Sequence, residues 1–288
     1  MSKTILITGA STGFGRDTAE TLARAGHRVF ASMRDPKVKN RAHAEALQAQ
    51  NIDVIELDVT STQSVDQAMS TVLAKADHLD VLINNAGVAS VGVYEAFTDE
   101  QVTALFDVNV VGLHRVIRAV LPTLRQQKDG LIINIGSILG RVSFPFFGLY
   151  GASKFAVEAI SESLRYELSQ FGVDVALVQP SAYPTQMYNS AAQPSDASRV
   201  AEYGEVGEIP GAMLQHFMSL FESADAPNPH DIAQAIVALV DAPKGTRPAR
   251  TVVGTAFGAD TLNDAAAPVQ LGVVQALGLG HLDSVKVD

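Results

Sequence analysis

The residues with the clearest chemical potential form one stretch, Tyr150-Gly151-Ala152-Ser153-Lys154, at the start of a segment with helical periodicity. In a helix, positions four residues apart lie on the same face, so the Tyr150 phenol and the Lys154 ammonium can act together. A nearby cation favours the phenolate, and we expect it to lower the pKa of the phenol from its usual value of roughly 10. Such a group can exchange a proton near pH 7, as general acid–base catalysis requires. The same spacing also occurs on ordinary solvated helix faces, so the pair needs support from elsewhere in the chain.

A second pattern, near the start of the chain, predicts an anion-binding turn. Residues 4–7 form an apolar run, Thr8 to Gly15 is rich in glycine, and a helical segment then continues to about residue 25. Glycines let the backbone approach a phosphate, and the helix N-terminus offers free N–H groups and the positive end of its dipole. The simpler interpretation is a tight turn with no ligand.

The elements that must position these residues alternate along the chain. Short apolar runs without polar alternation are typical of strands buried on both faces of a parallel sheet. They are separated by amphipathic helical segments, and this order predicts βαβ units. Strands are predicted at 4–7, 27–32, 52–57, 81–83, 131–135, 173–178 and 251–253, and the later helices at 39–50, 61–75, 99–127 (altered at Pro122), 150–170 and 231–240.

This order predicts an α/β fold. We expect a single doubly wound (Rossmann-type) domain over residues 1–288, with a parallel sheet of about seven strands and helices on both faces. The carboxyl ends of such strands are where open α/β sheets bind ligands. The residues that these patterns single out follow five of the predicted strands at that edge: Gly9, Asp58, Asn85, Ser137 and Pro180.

Two segments interrupt or extend this pattern. Residues 181–229 contain five prolines and scattered apolar residues, which favours a substrate-binding loop or lid over a surface excursion. Residues 255–288 are predicted to form a C-terminal helical tail. Three phenylalanines, Phe144, Phe146 and Phe147, precede Tyr150 and favour a hydrophobic substrate, although a role in the core is an equal alternative.

Composition excludes several classes of protein. The 288 residues are 47% hydrophobic and 18% charged, as in a globular chain, and 21 basic against 31 acidic residues give a net charge of −10. This balance argues against a nucleic-acid partner. The absence of cysteine excludes disulfides and thiolate catalysis, and we predict no metal site. We find no signal peptide and no membrane span, so a cytoplasmic location is expected.

The motifs together resemble those of the single-domain branch of the short-chain dehydrogenase/reductase family. They occur in the order and at the spacing of that family, with Tyr150 thirteen residues after Ser137, and the resemblance covers roughly residues 3–185. One departure is Ser181 after Pro180, where the family often has glycine. The matching motifs are Thr8-Gly9-x-x-x-Gly13-x-Gly15, Asp58, Asn84-Asn85-Ala86-Gly87, Asn109, Ser137 and Tyr150-x-x-x-Lys154.

The resemblance implies a role for each catalytic position. Tyr150 would be the general acid or base, and Lys154 would lower its pKa and hold the cofactor ribose. Ser137 would bind the substrate oxygen, and Asn109 would support a water chain to Lys154. The family also implies a homodimer or homotetramer, which the apolar helices predicted at 99–127 and 150–170 favour.

The resemblance implies a dinucleotide site as well. Gly9, Ser11, Gly13, Phe14 and Gly15 would surround the pyrophosphate. The remaining contacts would come from Asp58 and Val59 at the adenine, from Asn85, Ala86 and Gly87 at the adenosine ribose, and from Pro180 and Thr185 in the loop over the nicotinamide.

The end of the second strand favours NADP(H) over NAD(H). An enzyme that selects NAD usually has an acidic residue there, whereas NADP carries a phosphate that arginine attracts. The predicted strand is followed by Met33 and Arg34, and we interpret Asp35 as a helix-capping residue because Pro36 predicts a turn. NAD(H) remains the alternative cofactor.

The resulting hypothesis is an oxidoreductase that acts on a ketone, aldehyde or secondary alcohol. A catalytically silent dinucleotide sensor or scaffold is the alternative from another class, although such relatives usually lose the tyrosine or the lysine. A sugar-nucleotide epimerase or dehydratase would need a larger C-terminal domain than this chain provides.

Overall fold

We describe the fold from a computed structural model of the protein, which covers residues 2–223 and 225–287. Three residues lie outside the described ones: Met1 of the predicted domain, Ala224 of the predicted lid and Asp288 of the predicted tail.

The centre of the fold is a seven-stranded sheet in the order β3-β2-β1-β4-β5-β6-β7. Every neighbouring pair is parallel, which confirms the predicted α/β architecture. The strands are β1 Thr4–Ile7, β2 Arg28–Met33, β3 Asp53–Glu56, β4 Val81–Asn84, β5 Gly130–Ile135, β6 Val173–Pro180 and β7 Arg250–Val253.

Helices cover both faces of this sheet. Ile5 and Ile7 of β1 pack into a core with α1, α2 and α10, whereas Leu6 packs into a second core with α3, α5 and α6. Successive side chains of a strand point to opposite faces, so a strand covered on both sides is apolar at every position. The helices are α1 Gly13–Arg24, α2 Arg41–Gln48, α3 Thr62–Ala76, α4 Asp99–Phe106, α5 Leu113–Gln127, α6 Gly148–Ser169, α7 Gln186–Asn189, α8 Ala197–Glu202, α9 Glu205–Phe221, α10 His230–Asp241 and α11 Ala259–Ala276.

Over residues 99–127 the structure differs from the single helix that the sequence predicts. The helix is interrupted by a π-helical segment, Asp107–Gly112, between α4 and α5. Pro122, where an alteration was expected, lies within α5 and does not end the helix. Its missing N–H removes one helical hydrogen bond, but Val120 and Leu124 on either side of it are buried in the core and hold the helix in place.

The segment between β6 and α10 contains α7, α8 and α9, and α11 follows β7. Within the described residues, no helix combines the length and the apolar composition that crossing a bilayer requires.

Candidate active site

Hydrogen bonds connect the turn after β1 to the turn after β4. The Thr8 hydroxyl accepts the backbone N–H groups of Asn85 and Ala86, both at 3.0 Å. The Asn85 amide in turn donates to the carbonyls of Thr8 and Gly9, both at 2.9 Å. Gly9 has a φ of +66°, and a Cβ there would lie 2.8 Å from the Ala86 Cα, so this position requires glycine. Thr8 thus shapes the turn, a role that the sequence analysis missed because a hydroxyl there gives no distinct signal.

The start of α1 opens onto a cleft of about 500 Å³. Thr12 precedes the helix without a side-chain cap, so the first N–H groups of α1 have no capping side chain. A Cβ at Gly15 would lie 2.3 Å from the Asn85 amide nitrogen and 2.5 Å from the Gly9 carbonyl oxygen, whereas Gly13 faces open space. Glycines that allow close packing and uncapped N–H groups at a helix start fit the pyrophosphate of a dinucleotide.

Most of the residues predicted to bind the cofactor line this cleft. Gly15 instead packs behind the turn, and Pro180 lines a neighbouring cavity together with Ser137, Tyr150 and Lys154. The predicted residues that line the cleft are Gly9, Ser11, Gly13, Phe14, Arg34, Asp58, Val59, Asn85, Ala86, Gly87 and Thr185.

The end of β2 determines which charges reach the cleft. The strand ends at Met33, one residue later than predicted, so Arg34 is the first residue after it. Asp35 does not cap α2, because Asn40 occupies the N-cap position. Instead, Asp35 has a φ of +46° and its carboxylate accepts the Lys39 backbone N–H at 3.2 Å. Arg34 and Lys39 line the cleft and Asp35 is not among the lining residues. Sequence analysis missed Lys39, whose position depends on the turn over residues 36–40.

Tyr150 and Lys154 lie in the first two turns of α6, and both are buried. The Lys154 ammonium donates to the Ile135 carbonyl at 2.8 Å and lies 5.7 Å from the centre of the Tyr150 ring. Tyr150, Lys154 and Ser137 line the same cavity, so the structure brings together three of the four predicted catalytic side chains.

Burial controls the protonation of this pair. It raises the pKa of Tyr150 to about 12, an effect that a hydrogen bond with Ser137 partly offsets. Burial also lowers the pKa of Lys154 to about 8. The structure does not show the expected lowering of the phenol's pKa, because loss of hydration on burial, which raises that pKa, is the largest effect on Tyr150. At neutral pH Tyr150 is a phenol with a proton to donate, and Lys154 carries its charge.

Asn109 lies in the π-helical segment and not in the cavity. Its side-chain oxygen accepts the Val88 backbone N–H at 2.9 Å. Its amide nitrogen donates to the Val88 carbonyl at 2.9 Å and to the Ser153 hydroxyl at 3.0 Å. These contacts fasten the segment between α4 and α5 to α6 beside Lys154. The predicted water chain remains a prediction.

The cavity above Tyr150 is predominantly apolar. Tyr188 and Phe217, from the segment between β6 and α10, contribute to its lining, and the centre of the Tyr188 ring lies 5.2 Å from that of Phe221. Burial raises the pKa of Tyr188 as well, so its phenol is neutral. Of the three phenylalanines before Tyr150, Phe144 and Phe147 line this cavity and Phe146 does not.

A family model described as short chain dehydrogenase matches residues 3–196. The 3-ketodihydrosphingosine reductase of Bacteroides thetaiotaomicron is 41% identical over 184 residues, which are 63% of this chain and 64% of that protein, so the chain spans slightly under two thirds of its length. Human retinol dehydrogenase 8 is 34% identical over 261 residues, which cover 85% of this chain and 79% of that protein.

Solved structures show the same architecture. A short-chain dehydrogenase from Streptomyces avermitilis matches with a TM-score of 0.77 at 30% identity, over 97% of this chain and 98% of the other. An alcohol dehydrogenase from Thermococcus sibiricus, complexed with 5-hydroxy-NADP, matches with a TM-score of 0.68 at 26% identity, over 88% and 96%. A short-chain dehydrogenase/reductase from Burkholderia phymatum, in complex with NAD, matches with a TM-score of 0.75 at 25% identity, over 94% and 95%.

Proposed function

Because this chain belongs to the short-chain dehydrogenase/reductase family, whose members are oxidoreductases acting on CH–OH groups, we propose that it interconverts a ketone or aldehyde and its alcohol with a nicotinamide cofactor. The observation that carries the proposal is the buried, protonated Tyr150 phenol, which shares an apolar cavity with Ser137 and Lys154 beside the glycine-lined cleft. An acid in a site shielded from water is what carbonyl reduction needs.

Each catalytic side chain has a distinct part in this proposal. The cofactor, when bound along the cleft, supplies the hydride for reduction of the carbonyl carbon or accepts it in the reverse direction. Tyr150 donates its phenolic proton to the carbonyl oxygen, and the Ser137 hydroxyl hydrogen-bonds the same oxygen as charge develops on it. The phenolate that results is stabilised by the Lys154 ammonium.

The substrate is proposed to be largely apolar. Phe144, Phe147 and Phe217 line the cavity beside the reacting hydroxyls, and burying an apolar group against such a wall is favourable by about 25 cal/mol per Å². The relatives include proteins named 3-ketodihydrosphingosine reductase and retinol dehydrogenase 8, so carbonyl compounds and alcohols with a long hydrocarbon part are a suitable first class to test.

The preferred cofactor is proposed to be NADP(H). Arg34 and Lys39 both line the cleft near the end of β2, where the extra phosphate of NADP would lie. Two cations favour that phosphate, and Asp35, whose carboxylate bonds the Lys39 backbone, is not a lining residue. NAD(H) remains the alternative, since solved relatives hold either dinucleotide.

A homo-oligomer is also proposed. A groove between α5 and α6 is lined by Leu121, Leu164 and Phe171 among others, and a second copy on this face would bury them. The cytoplasmic location stays a prediction from the sequence.

The activity is tested with a panel of long-chain and short ketones, by measuring the loss of NADPH absorbance. We expect turnover in the parent and a decrease of roughly 100-fold or more in Tyr150→Phe, which removes only the acid. Tyr166→Phe, on the same helix outside the cavity, is the matched control. A Tyr150→Phe variant within tenfold of the parent contradicts the assignment, and a parent that binds NADPH without any turnover favours the silent sensor.

Cofactor preference is tested by comparing kcat/KM for NADPH and NADH. We expect Arg34→Ala and Lys39→Ala each to reduce the preference for NADPH about tenfold or more, the effect of losing a charge-assisted hydrogen bond. Lys37→Ala, in the same turn but outside the cleft, should leave the ratio unchanged. A parent that prefers NADH, or variants that keep the parental ratio, contradict the proposal.

A further inference from the structure

Near residues that line the cavity, four polar side chains from four different segments of the chain form a closed ring. Its members are Arg141, Glu158, Gln179 and Asn263. Gln179 and Glu158 are fully or almost fully buried. The motifs of the sequence analysis include none of the four, and the acid–base chemistry described above uses none of them.

Direct contacts close the ring. The Glu158 carboxylate accepts a hydrogen bond from the Gln179 amide and lies 3.9 Å from the Arg141 guanidinium. The Asn263 amide donates to the Gln179 side-chain oxygen at 2.7 Å and accepts from Arg141 at 2.7 Å. Arg250 of β7 supports the ring from outside, with its guanidinium 2.9 Å from the Glu158 carboxylate.

Each member of the ring adjoins part of the reaction site. Glu158 lies one turn after Lys154 on the same face of α6, and Gln179 directly precedes Pro180, which lines the cavity. Arg141 ends the 3₁₀ turn Ile138–Gly140, which follows Ser137. Asn263 lies in the first turns of α11, the helix of the C-terminal tail.

The contact between the Ser137 turn and the catalytic helix is especially close. A Cβ at Gly140 would lie 2.9 Å from the Glu158 Cγ and 3.0 Å from the Lys154 carbonyl oxygen. A small shift of Glu158 or Arg141 would therefore move the Ser137 turn relative to Lys154. Because the reacting groups must meet in a narrow geometry, a displacement of about 1 Å can reduce a rate about 100-fold.

We propose that this ring positions Ser137 and Pro180 against Tyr150 and Lys154, and that Asn263 makes the tail helix part of the catalytic assembly. The members are positioning residues, since none of the four lines the cavity. This inference rests on the proposed carbonyl–alcohol oxidoreductase activity, and it adds that the activity depends on α11, which lies beyond the segment matched by the family model.

Asn263→Ala is the principal test, because Asn263 is only half-buried and its loss leaves the Glu158–Arg250 ion pair intact. Gln270→Ala is the matched control. It lies two turns further along α11, is half-buried, and its side chain has no hydrogen bond among the described residues. Arg141→Met opens the ring from the other side and serves as the second variant.

We expect Asn263→Ala and Arg141→Met to lower kcat about tenfold or more, with the dissociation constant of NADPH within about twofold of the parent. A cofactor deuterated at the transferred position should show a larger isotope effect on kcat, since hydride transfer becomes slower. The double variant should lose no more than either single variant, because both open one ring. Gln270→Ala should match the parent in every measurement.

Hydrogen exchange gives a readout that does not require turnover. In Asn263→Ala, the amides of residues 137–142 and 179–183 should exchange faster, and those of α3 should not change. If kcat is unchanged while the midpoint of urea unfolding falls, the ring is only a structural brace and the proposal is overturned. Unchanged exchange in both segments also overturns it. If the parent reduces no carbonyl compound, the proposed function fails, and the exchange measurement still decides whether the ring holds the two segments.

Discussion

Lys154 is costly to bury, and its removal should make the protein more stable while abolishing catalysis. Its pKa falls from 10.5 to about 8 on folding, and the cause is burial. At about 1.4 kcal/mol for each unit of pKa, holding the charged ammonium in the folded protein at pH 7 costs roughly 3 kcal/mol. Lys154→Met removes this cost but leaves the Ile135 carbonyl without its donor, a loss of about 1–2 kcal/mol. We therefore expect a net stabilisation of about 1–2 kcal/mol at pH 7.

The pH dependence provides a sharper test than the stability at one pH. Below pH 8 both folded and unfolded chains hold the Lys154 proton, so the full cost is present. Between about pH 8 and pH 10.5 the folded chain loses this proton while the unfolded chain retains it, so the stability of the parent rises with pH. From pH 7 to pH 9.5 the advantage of Lys154→Met over the parent should shrink by about 2 kcal/mol.

The assay is urea unfolding followed by circular dichroism at both pH values, without cofactor. Comparing the variant with the parent cancels the titration of all other groups. Lys75→Met is the control, because Lys75 is largely exposed and its pairing with Asp53 lies at the surface. An advantage of Lys154→Met that stays constant between the two pH values would refute the reasoning, and so would a variant less stable than the parent at pH 7.

Three further outcomes are expected. The kcat/KM for carbonyl reduction should fall as the pH rises through about 8, because neutral Lys154 no longer stabilises the Tyr150 phenolate, and a profile that is flat across this region contradicts this role. Gly15→Ala should weaken NADPH binding measured by calorimetry, since the new Cβ would lie 2.5 Å from the Gly9 carbonyl oxygen and displace the glycine-rich turn. Equal affinity in variant and parent would show that the turn accommodates a side chain at this position. Leu164→Glu should convert a homo-oligomer to monomers in light scattering, and an unchanged mass would exclude the α5–α6 groove as the interface.

The parallel sheet could be predicted from the sequence because burial on both faces leaves a direct signature, an apolar run without alternation. Ile5, Leu6 and Ile7 illustrate it, since neighbours along β1 enter opposite cores. Tyr150 and Lys154 could be paired for a similar reason, because helical spacing alone places them on one face.

Other features depend on contacts between distant segments, which a local pattern does not contain. The pKa of Tyr150 was predicted from its neighbour Lys154, but the direction of its shift is set by the burial of the phenol in the folded protein. Asp35 was interpreted as a helix cap because Pro36 follows it, whereas the turn continues as far as Asn40. Asn263 lies more than 80 residues from its partner Gln179, so no spacing rule could associate them.

The π-helical segment Asp107–Gly112 sets the rotational phase of the helices on either side. In a π-helical segment each backbone hydrogen bond joins residues five apart, whereas in an α-helix it joins residues four apart. The segment therefore contains one residue more than an α-helix of the same length. Each helical residue advances by about 100°, so this extra residue turns α5 relative to α4. Asn109 can then point toward Ser153 while Val116 and Ile117, only two turns later, face the sheet.

The length of this segment is therefore constrained in a way that its composition is not. Val111 is 41% exposed, so Val111→Ala should be tolerated. Deleting Val111 would restore a regular helix and rotate either Asn109 away from Ser153 or the apolar side of α5 away from the sheet. The deletion should lower the urea midpoint far more than the substitution does, and equal midpoints would show that the phase of the helix is not fixed here. A change of one residue in chain length, which a surface loop would tolerate, would therefore break the contact between Asn109 and Ser153, the residue next to Lys154.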